Sequence, residues 1–144
     1  ITTQGDKQMV ERTLVFIKPD GLTRKLVGRI LTKFEEKGLH LIALNQLQLT
    51  GAMADTHYQE HTHQPFYPGL REYVTSGPIV VFVLEAPRVI EIVRHMVGVT
   101  DGAVAALGTI RGDFAINRAE NIVHASDSPQ SAAREIAHFF PHLA

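Results

Sequence analysis

The chain contains no cysteine and no tryptophan among its 144 residues. The lack of cysteine excludes disulfide bonds and metal sites built on thiolates. No apolar stretch approaches the roughly 20 residues that a membrane-spanning helix needs. The formal net charge of −1 leaves no basic excess for binding nucleic acid or an anionic membrane surface. We therefore expect a cytoplasmic protein in which any attraction for a charged ligand is local.

The composition predicts one globular domain, because 44% of the residues are hydrophobic and 20% are charged over a length that can bury a sizeable core. We expect this domain to cover residues 11–144. Residues 1–10 are expected to form a flexible lead-in, since the first eight are polar and lack the apolar core of a signal peptide. Met9 is a candidate for the natural start, and the segment before it would then be an artificial remnant or an extension.

Hydrophobic periodicity predicts an order of roughly βαβαβαβα with one added helix. Strands are expected at 13–17, 39–49 and 78–84, and a final short strand is expected to end at His124. Helices are expected at 26–37, 52–60, 69–75, 87–97 and 129–140. The apolar, β-branched run 78–84 is typical of a central strand covered on both faces. Asp127 or Ser128 is expected to cap the last helix. Residues 99–118 lack a sustained period and predict a long loop of functional importance.

Three segments suggest phosphoryl chemistry on a histidine. His124 ends a short apolar run, as a nucleophile on a strand would. Arg111 lies between glycines, where a guanidinium can meet a phosphate held close to the backbone. Lys18 ends a buried strand before a Pro-Asp-Gly turn. Neither a P-loop nor a dinucleotide-binding glycine fingerprint is present, so a nucleotide must be held in another way.

At these residues the chain closely resembles the nucleoside diphosphate kinases. The resemblance runs over about residues 11 to 140 and includes the segments Glu11-Arg12-Thr13, Lys18-Pro19-Asp20-Gly21, Pro65-Phe66-Tyr67, Thr75-Ser76-Gly77-Pro78, the Arg111 loop, His124, Glu135 and Phe139. It implies an α/β (α+β) fold, a ferredoxin-like βαββαβ arrangement in which helices cover a four-stranded antiparallel sheet.

The resemblance also implies an activity. A member of this family is a phosphotransferase that moves the γ-phosphate of a nucleoside triphosphate such as ATP to a nucleoside diphosphate. It does so by a ping-pong mechanism through a phosphohistidine, here at His124, with broad base specificity. Mg²⁺ is held mainly through the nucleotide phosphates rather than by a protein metal site. The family forms homo-oligomers, and we expect a hexamer rather than a tetramer.

The residue roles follow from the matched positions. His124 is the expected nucleophile, supported by Glu135, Ser126 and Tyr58. The nucleotide is expected to contact Lys18, Phe66, Leu70, Arg94, Thr100, Arg111, Arg118 and Asn121. Phe66 would stack on the base, a contact that tolerates different bases. Asp20 and Asp113 are expected to stabilise a turn and a loop.

Three residues depart from the commonest family pattern. Ala125 replaces the glycine that usually follows the histidine, and its methyl group would introduce strain and lower activity if that backbone required a positive φ. Arg118 replaces an apolar residue near the base, which predicts a cation-π or polar contact that alters base preference. Leu107 replaces a proline, which predicts a looser loop at subunit contacts.

Other interpretations stay open at this point. The residues His57, His61 and His63 have spacing that would suit zinc, but without a defined fourth ligand they favour a solvated face. A weakened family member that serves as a nucleotide-binding or regulatory module is the main alternative to an active kinase. A nucleic-acid-binding domain lacks the basic patch that it would need.

Overall fold

The computed structural model describes residues 9–143. The predicted lead-in therefore lies outside the described residues, except that the first strand already begins at Val10. The strands are β1 (Val10–Ile17), β2 (His40–Gln48), β3 (Pro78–Pro87) and β4 (Val123–Ala125). The helices are α1 (Pro19–Thr23), α2 (Val27–Glu36), α3 (Gly51–His57), α4 (Tyr67–Thr75), α5 (Val89–Val97), α6 (Ile110–Phe114) and α7 (Pro129–Phe139), followed by a short 3-10 helix at Pro141–Leu143.

The four strands form one sheet in the order β2-β3-β1-β4, and every neighbouring pair is antiparallel. β1 and β3 occupy the centre, with Leu14 opposite Val83 and Ile17 opposite Val80. β4 lies at one edge, and His124 pairs with Phe16. This order and orientation confirm the predicted ferredoxin-like fold.

Alternation along the central strands sends side chains to two separate cores. Val15 and Ile17 of β1 face a core shared with α2 and α5, whereas Leu14 and Phe16 face a core shared with α3, α4 and α7. β3 is buried on both faces from Ile79 to Leu84, as the apolar run predicts. Helices therefore cover the sheet on both sides, and β4 brings its residues to the edge between them.

Several boundaries differ from the predictions. Lys18 leads into the short helix α1 rather than a simple turn, and α6 lies inside the segment predicted to be a long loop. Pro87 ends β3 instead of entering α5, which begins after Arg88. Ser128, not Asp127, caps α7, because its side chain accepts a hydrogen bond from the backbone of Ser131. None of the helices within residues 9–143 is long and apolar enough to cross a membrane.

Candidate active site

The imidazole of His124 is held by the edge of the sheet. Its ring stacks on Phe16 of β1, with centroids 4.9 Å apart and an interplanar angle of 25°. The side chain is 19% exposed, so the ring is fixed yet accessible. A nucleophile needs this combination, because its geometry must be set before the ligand arrives.

Glu135 of α7 fixes the orientation and the tautomer of that ring. The carboxylate is buried, and its Oε1 lies 2.8 Å from Nε2 of His124. The hydroxyl of Ser126 donates a 2.7 Å hydrogen bond to the same oxygen. An ionised carboxylate can only accept hydrogen bonds, so we assign the imidazole proton to Nε2. Nδ1 is then the nitrogen that has the free lone pair.

The surroundings keep this imidazole neutral. Burial lowers the pKa of His124 well below its usual value, and the nearby charges of Lys18, Arg111 and Arg94 lower it further. Burial also raises the pKa of Glu135. An uncharged ring at physiological pH is the form that can attack an electrophile.

Lys18 places a buried cation next to the histidine. Its ammonium donates a 2.7 Å hydrogen bond to Oδ1 of Asn121 and lies 5.7 Å from the centre of the Tyr73 ring. Desolvation, reinforced by the charge of Arg111, lowers the pKa of Lys18 to about 7. Within residues 9–143 no carboxylate forms an ion pair with it. An anionic ligand would supply the missing partner.

Two arginines extend the same positive region. Arg111 of α6 donates to the carbonyl oxygens of Val123, at 2.7 Å, and Gly98, at 3.0 Å. Arg94 of α5 donates to the carbonyl oxygen of Ala125 at 3.2 Å. Burial, together with the charge of Arg94, lowers the pKa of Arg111 to about 10. Across the described part of the chain neither guanidinium pairs with a carboxylate, so their charge is also uncompensated.

A cleft of about 790 Å³ opens next to these cations. Its walls include six of the predicted contact residues: Lys18, Phe66, Leu70, Thr100, Arg118 and Asn121. Phe66 is 56% exposed at the cleft, so core packing does not account for its ring. The lining thus combines an exposed aromatic ring with the buried ammonium group of Lys18, a combination that matches the base and the phosphates of a nucleotide.

Asn121 links the cleft to the positive region. Its side chain accepts from Lys18 and donates to the carbonyl oxygen of Thr100 at 3.1 Å. Tyr58 also lies near the histidine, with its ring centre 6.3 Å from that of His124. The Tyr58 hydroxyl is buried and has no hydrogen-bond partner among residues 9–143, so it offers a donor beside the proposed nucleophile.

Backbone strain occurs at Ile122 and not at Ala125. Among the described residues, the non-glycine residues with positive φ are Lys25, Arg88 and Ile122, and the φ of Ile122 is 74°. A β-branched residue rarely adopts this conformation. The backbone N–H of Lys18 donates to the Ile122 carbonyl oxygen at 2.7 Å and holds it in place. The methyl group of Ala125 therefore introduces no strain of the predicted kind.

The interpretation of the histidine cluster as a solvated face is wrong for His57. His61 and His63 are exposed, whereas His57 is 3% exposed and its ring lies 4.5 Å from that of His124 at 82°. The possible ligand atoms of His57, His124 and Glu135 all lie within 4.8 Å of one another. Oε1 of Glu135 already lies 2.8 Å from Nε2 of His124, and the charges of Lys18, Arg111 and Arg94 at this histidine disfavour a further cation.

Sequence reasoning missed two residues of the site. Tyr73 lines the cleft, and its hydroxyl donates to Asp20, which supports the expected turn-stabilising role of that carboxylate. The spacing of Tyr73 from Leu70 on α4 was an available signal. His57 likewise follows Ala54 by three residues on the buried face of α3. Asp113 accepts from the backbone of Gly108, as expected of a loop stabiliser.

Comparisons with known proteins agree with this geometry. The family model described as nucleoside diphosphate kinase matches residues 11–144. A nucleoside diphosphate kinase of Mycobacteroides abscessus is 55% identical over 136 residues, which cover 94% of this chain and 100% of the relative. Another, from Ignicoccus hospitalis, is 53% identical over 91% of this chain and 89% of its own length. The structure of a halophilic nucleoside diphosphate kinase from Halobacterium salinarum in complex with CDP is 41% identical, with a TM-score of 0.90 and coverage of 92% and 88%. The chain belongs to the nucleoside diphosphate kinase family.

Proposed function

We propose that this protein transfers the γ-phosphate of a nucleoside triphosphate to a nucleoside diphosphate through a phosphohistidine at His124. One observation carries the proposal. A neutral histidine, oriented by a buried carboxylate, lies beside three cationic side chains that have no carboxylate partner among the described residues. A bound phosphate chain would satisfy all three cations and bring its terminal phosphorus to the histidine.

The first half of the reaction forms the phosphoenzyme. The lone pair of Nδ1 attacks the γ-phosphorus, and the bond from that phosphorus to the bridging oxygen breaks. The nucleoside diphosphate leaves with the bonding electrons. The imidazole becomes positively charged, and its Nε2 proton stays in the hydrogen bond to Glu135, whose carboxylate stabilises the new charge. Ser126 keeps that carboxylate in place.

The second half reverses these events with another acceptor. A terminal oxygen of a different nucleoside diphosphate attacks the same phosphorus, and the electron pair of the nitrogen–phosphorus bond returns to Nδ1. The product triphosphate then leaves the cleft. Because both nucleotides use one site in turn, ping-pong kinetics are expected.

The positive groups would stabilise the charge on the moving phosphoryl group. Lys18, Arg94 and Arg111 are fixed by hydrogen bonds to Asn121 or to backbone carbonyls before any ligand binds. Such preorganised charge is worth most in a site shielded from water. Tyr58 is proposed to donate its unpaired hydroxyl to the phosphate.

Mg²⁺ is proposed to enter as part of the nucleotide substrate. The charged groups nearest to His124 include the cations Lys18, Arg94 and Arg111, and the carboxylates that line the cleft, Glu72 and Glu120, are exposed. This set fits an ion held by phosphate oxygens and water rather than by a protein cage. When bound, the ion would neutralise charge on the phosphates.

The part of the cleft around Phe66 is proposed to hold the sugar and the base. Phe66 offers an exposed ring for stacking, and Leu70 lies one helical turn away on α4. Lys18, Thr100 and Asn121 would contact the ribose hydroxyls or the phosphates. Broad base specificity follows from stacking, and the charge of Arg118 at the same cleft is proposed to modulate it through a cation-π or polar contact.

Assembly and location are further parts of the proposal. We propose a cytoplasmic homo-oligomer, with a hexamer preferred over a tetramer. Apolar side chains on the segment between α5 and β4 support self-association, because Val104, Leu107 and Ile116 are 72%, 86% and 81% exposed. Sedimentation velocity would distinguish the two assemblies, and a monomer would contradict both.

Incubation with ATP labelled on the γ-phosphate tests the central step. The wild-type protein should acquire a label that is stable to alkali and labile to acid, as expected for phosphohistidine. His124→Ala should acquire none, whereas His63→Ala, a change of an exposed histidine, should be labelled normally. A wild-type protein that binds nucleotide but never acquires this label would instead be a weakened, nucleotide-binding module.

A further inference from the structure

His57 is a buried polar residue, and packing alone does not explain why a polar side chain occupies this position. It is the last residue of α3, and within the described part of the chain neither of its ring nitrogens has a hydrogen-bond partner. A buried polar atom without a partner costs about 1–3 kcal/mol. An apolar side chain at this position would not carry that cost, so the imidazole calls for another explanation.

The ring of His57 forms a triangle with the rings of Phe16 and His124. It lies 4.5 Å from His124 at 82° and 5.1 Å from Phe16 at 65°. Phe16 in turn stacks on His124. The proposed nucleophile is therefore in contact with two rings while Glu135 holds its Nε2, and these contacts restrict rotation about its side-chain bonds.

Arg134 ties His57 to the carboxylate that orients the nucleophile. Its guanidinium donates to the backbone carbonyl oxygens of His57, at 3.2 Å, and Thr56, at 3.4 Å. The same guanidinium lies 3.8 Å from Oε2 of Glu135. The end of α3 and the middle of α7 are thus held together, which keeps the His57 ring next to the pair of His124 and Glu135.

His57 stays uncharged in this environment. The titratable and charged groups that face it are His124, Glu135, Arg134, His138 and Tyr58. Burial, followed by the charge of His124, lowers the pKa of His57 well below its usual value. An uncharged imidazole has a lone pair and a π-system, both of which attract a neighbouring positive charge.

We infer that His57 is a positioning residue for the phosphoryl transfer, holding the ring of His124 with Nδ1 free and stabilising the positive charge that this ring gains on attack. The inference rests on the proposed function, since only formation of a phosphohistidine places that charge on His124. It predicts a need for a polar, neutral side chain at position 57 rather than for volume alone.

The test measures single-turnover phosphoenzyme formation at increasing concentrations of MgATP. His57→Phe should lower the maximal rate by about tenfold or more, while the concentration for half-maximal rate changes by less than about twofold. His57→Gln should recover part of the rate, because its amide restores a polar group. His138→Phe is the matched control, since His138 also has a buried unpaired nitrogen but packs on Phe139 and not on His124.

A folded His57→Phe variant that forms phosphoenzyme at the wild-type rate would overturn the inference, as would equal losses in His57→Phe and His57→Gln. If thermal unfolding shows that His57→Phe is too unstable to assay, His57→Leu and His57→Gln provide the same comparison of apolar and polar side chains. Labelling of the wild-type protein at His124 is judged separately, so failure of the proposed function is distinguishable from failure of this inference.

Discussion

Replacing Lys18 with methionine is expected to stabilise the ligand-free protein while it weakens nucleotide binding. The ammonium group is buried, and its hydrogen-bond partner, Asn121, is uncharged. Methionine has a similar unbranched shape and needs no solvation. Sites that bind charged ligands are often unstable without them, so a gain in stability here would come with a loss of function.

The magnitude follows from the change in proton affinity on folding. Desolvation, together with the charge of Arg111, lowers the pKa of Lys18 from 10.5 to about 7. At about 1.4 kcal/mol for each tenfold change in proton affinity, burying the charged form costs roughly 5 kcal/mol. Loss of the hydrogen bond to Asn121 opposes the gain by about 1–2 kcal/mol. We therefore expect Lys18→Met to raise the free energy of unfolding by roughly 2–4 kcal/mol at neutral pH.

The pH dependence has a definite sign. The folded state binds this proton less tightly than the unfolded chain, so between about pH 7 and 10.5 the unfolded chain holds more protons. The contribution of Lys18 to the free energy of unfolding of the wild-type protein therefore rises with pH across that window. The advantage of Lys18→Met is fully present below the folded pKa and disappears as the pH approaches the unfolded value.

Urea unfolding of both proteins without nucleotide, at about pH 7 and about pH 9, measures this difference. Lys37→Met removes a charge from an exposed position at the end of α2 and should stay within about 0.5 kcal/mol of wild type at both pH values. MgADP should stabilise the wild-type protein far more than Lys18→Met. A variant less stable than wild type at pH 7, or a difference that does not shrink at the higher pH, would refute the reasoning.

Three further predictions concern the site and its supporting loop. Glu135→Gln should lower the rate of phosphoenzyme formation by roughly 100-fold or more with little change in nucleotide affinity, because the amide cannot stabilise the charged ring; an unchanged rate in rapid-quench measurements would contradict this. Gly112→Ala should cost about 1–3 kcal/mol in urea unfolding, since a Cβ there overlaps the carbonyl oxygen of Ala106, whereas Gly28→Ala, with no neighbour within 4 Å, should be neutral or stabilising. Arg118→Val should change the ratio of purine to pyrimidine diphosphate turnover, and an unchanged ratio would exclude a contact between Arg118 and the base.

The fold was largely predictable because its signals are local. The continuous apolar run of β3 indicates a strand buried on both faces, and the apolar spacing of α2 indicates a helix with one buried face. Each element can therefore be recognised from its own segment of the sequence. The helices α1 and α6 were missed because each has five residues, too few to show a period. Their positions depend on tertiary contacts, such as the donation from Arg111 to the carbonyl oxygen of Val123.

The site was predictable where resemblance to a family marks single residues. His124, Glu135 and Ser126 lie within hydrogen-bond distance, as the resemblance implies. The burial of His57 was not predictable from its polar neighbours in sequence, since Phe16 and Phe139, which contact its ring, are distant along the chain. Packing against residues that are distant in sequence determines whether such a side chain is buried, and the local pattern of residue types does not indicate it.

Ala125 is the position where sequence and structure lead to opposite expectations. The departure from glycine suggested strain and reduced activity, but Ala125 is a buried strand residue opposite Val15, and its φ is not positive. Ala125→Gly should therefore destabilise the protein by about 1–2 kcal/mol, through greater freedom of the unfolded chain and loss of a buried methyl group. The rate of phosphoenzyme formation should not increase. Ala43→Gly in β2 is the control for a strand glycine away from the site. An Ala125→Gly protein that is more stable or faster than wild type would show that the methyl group strains the segment after His124.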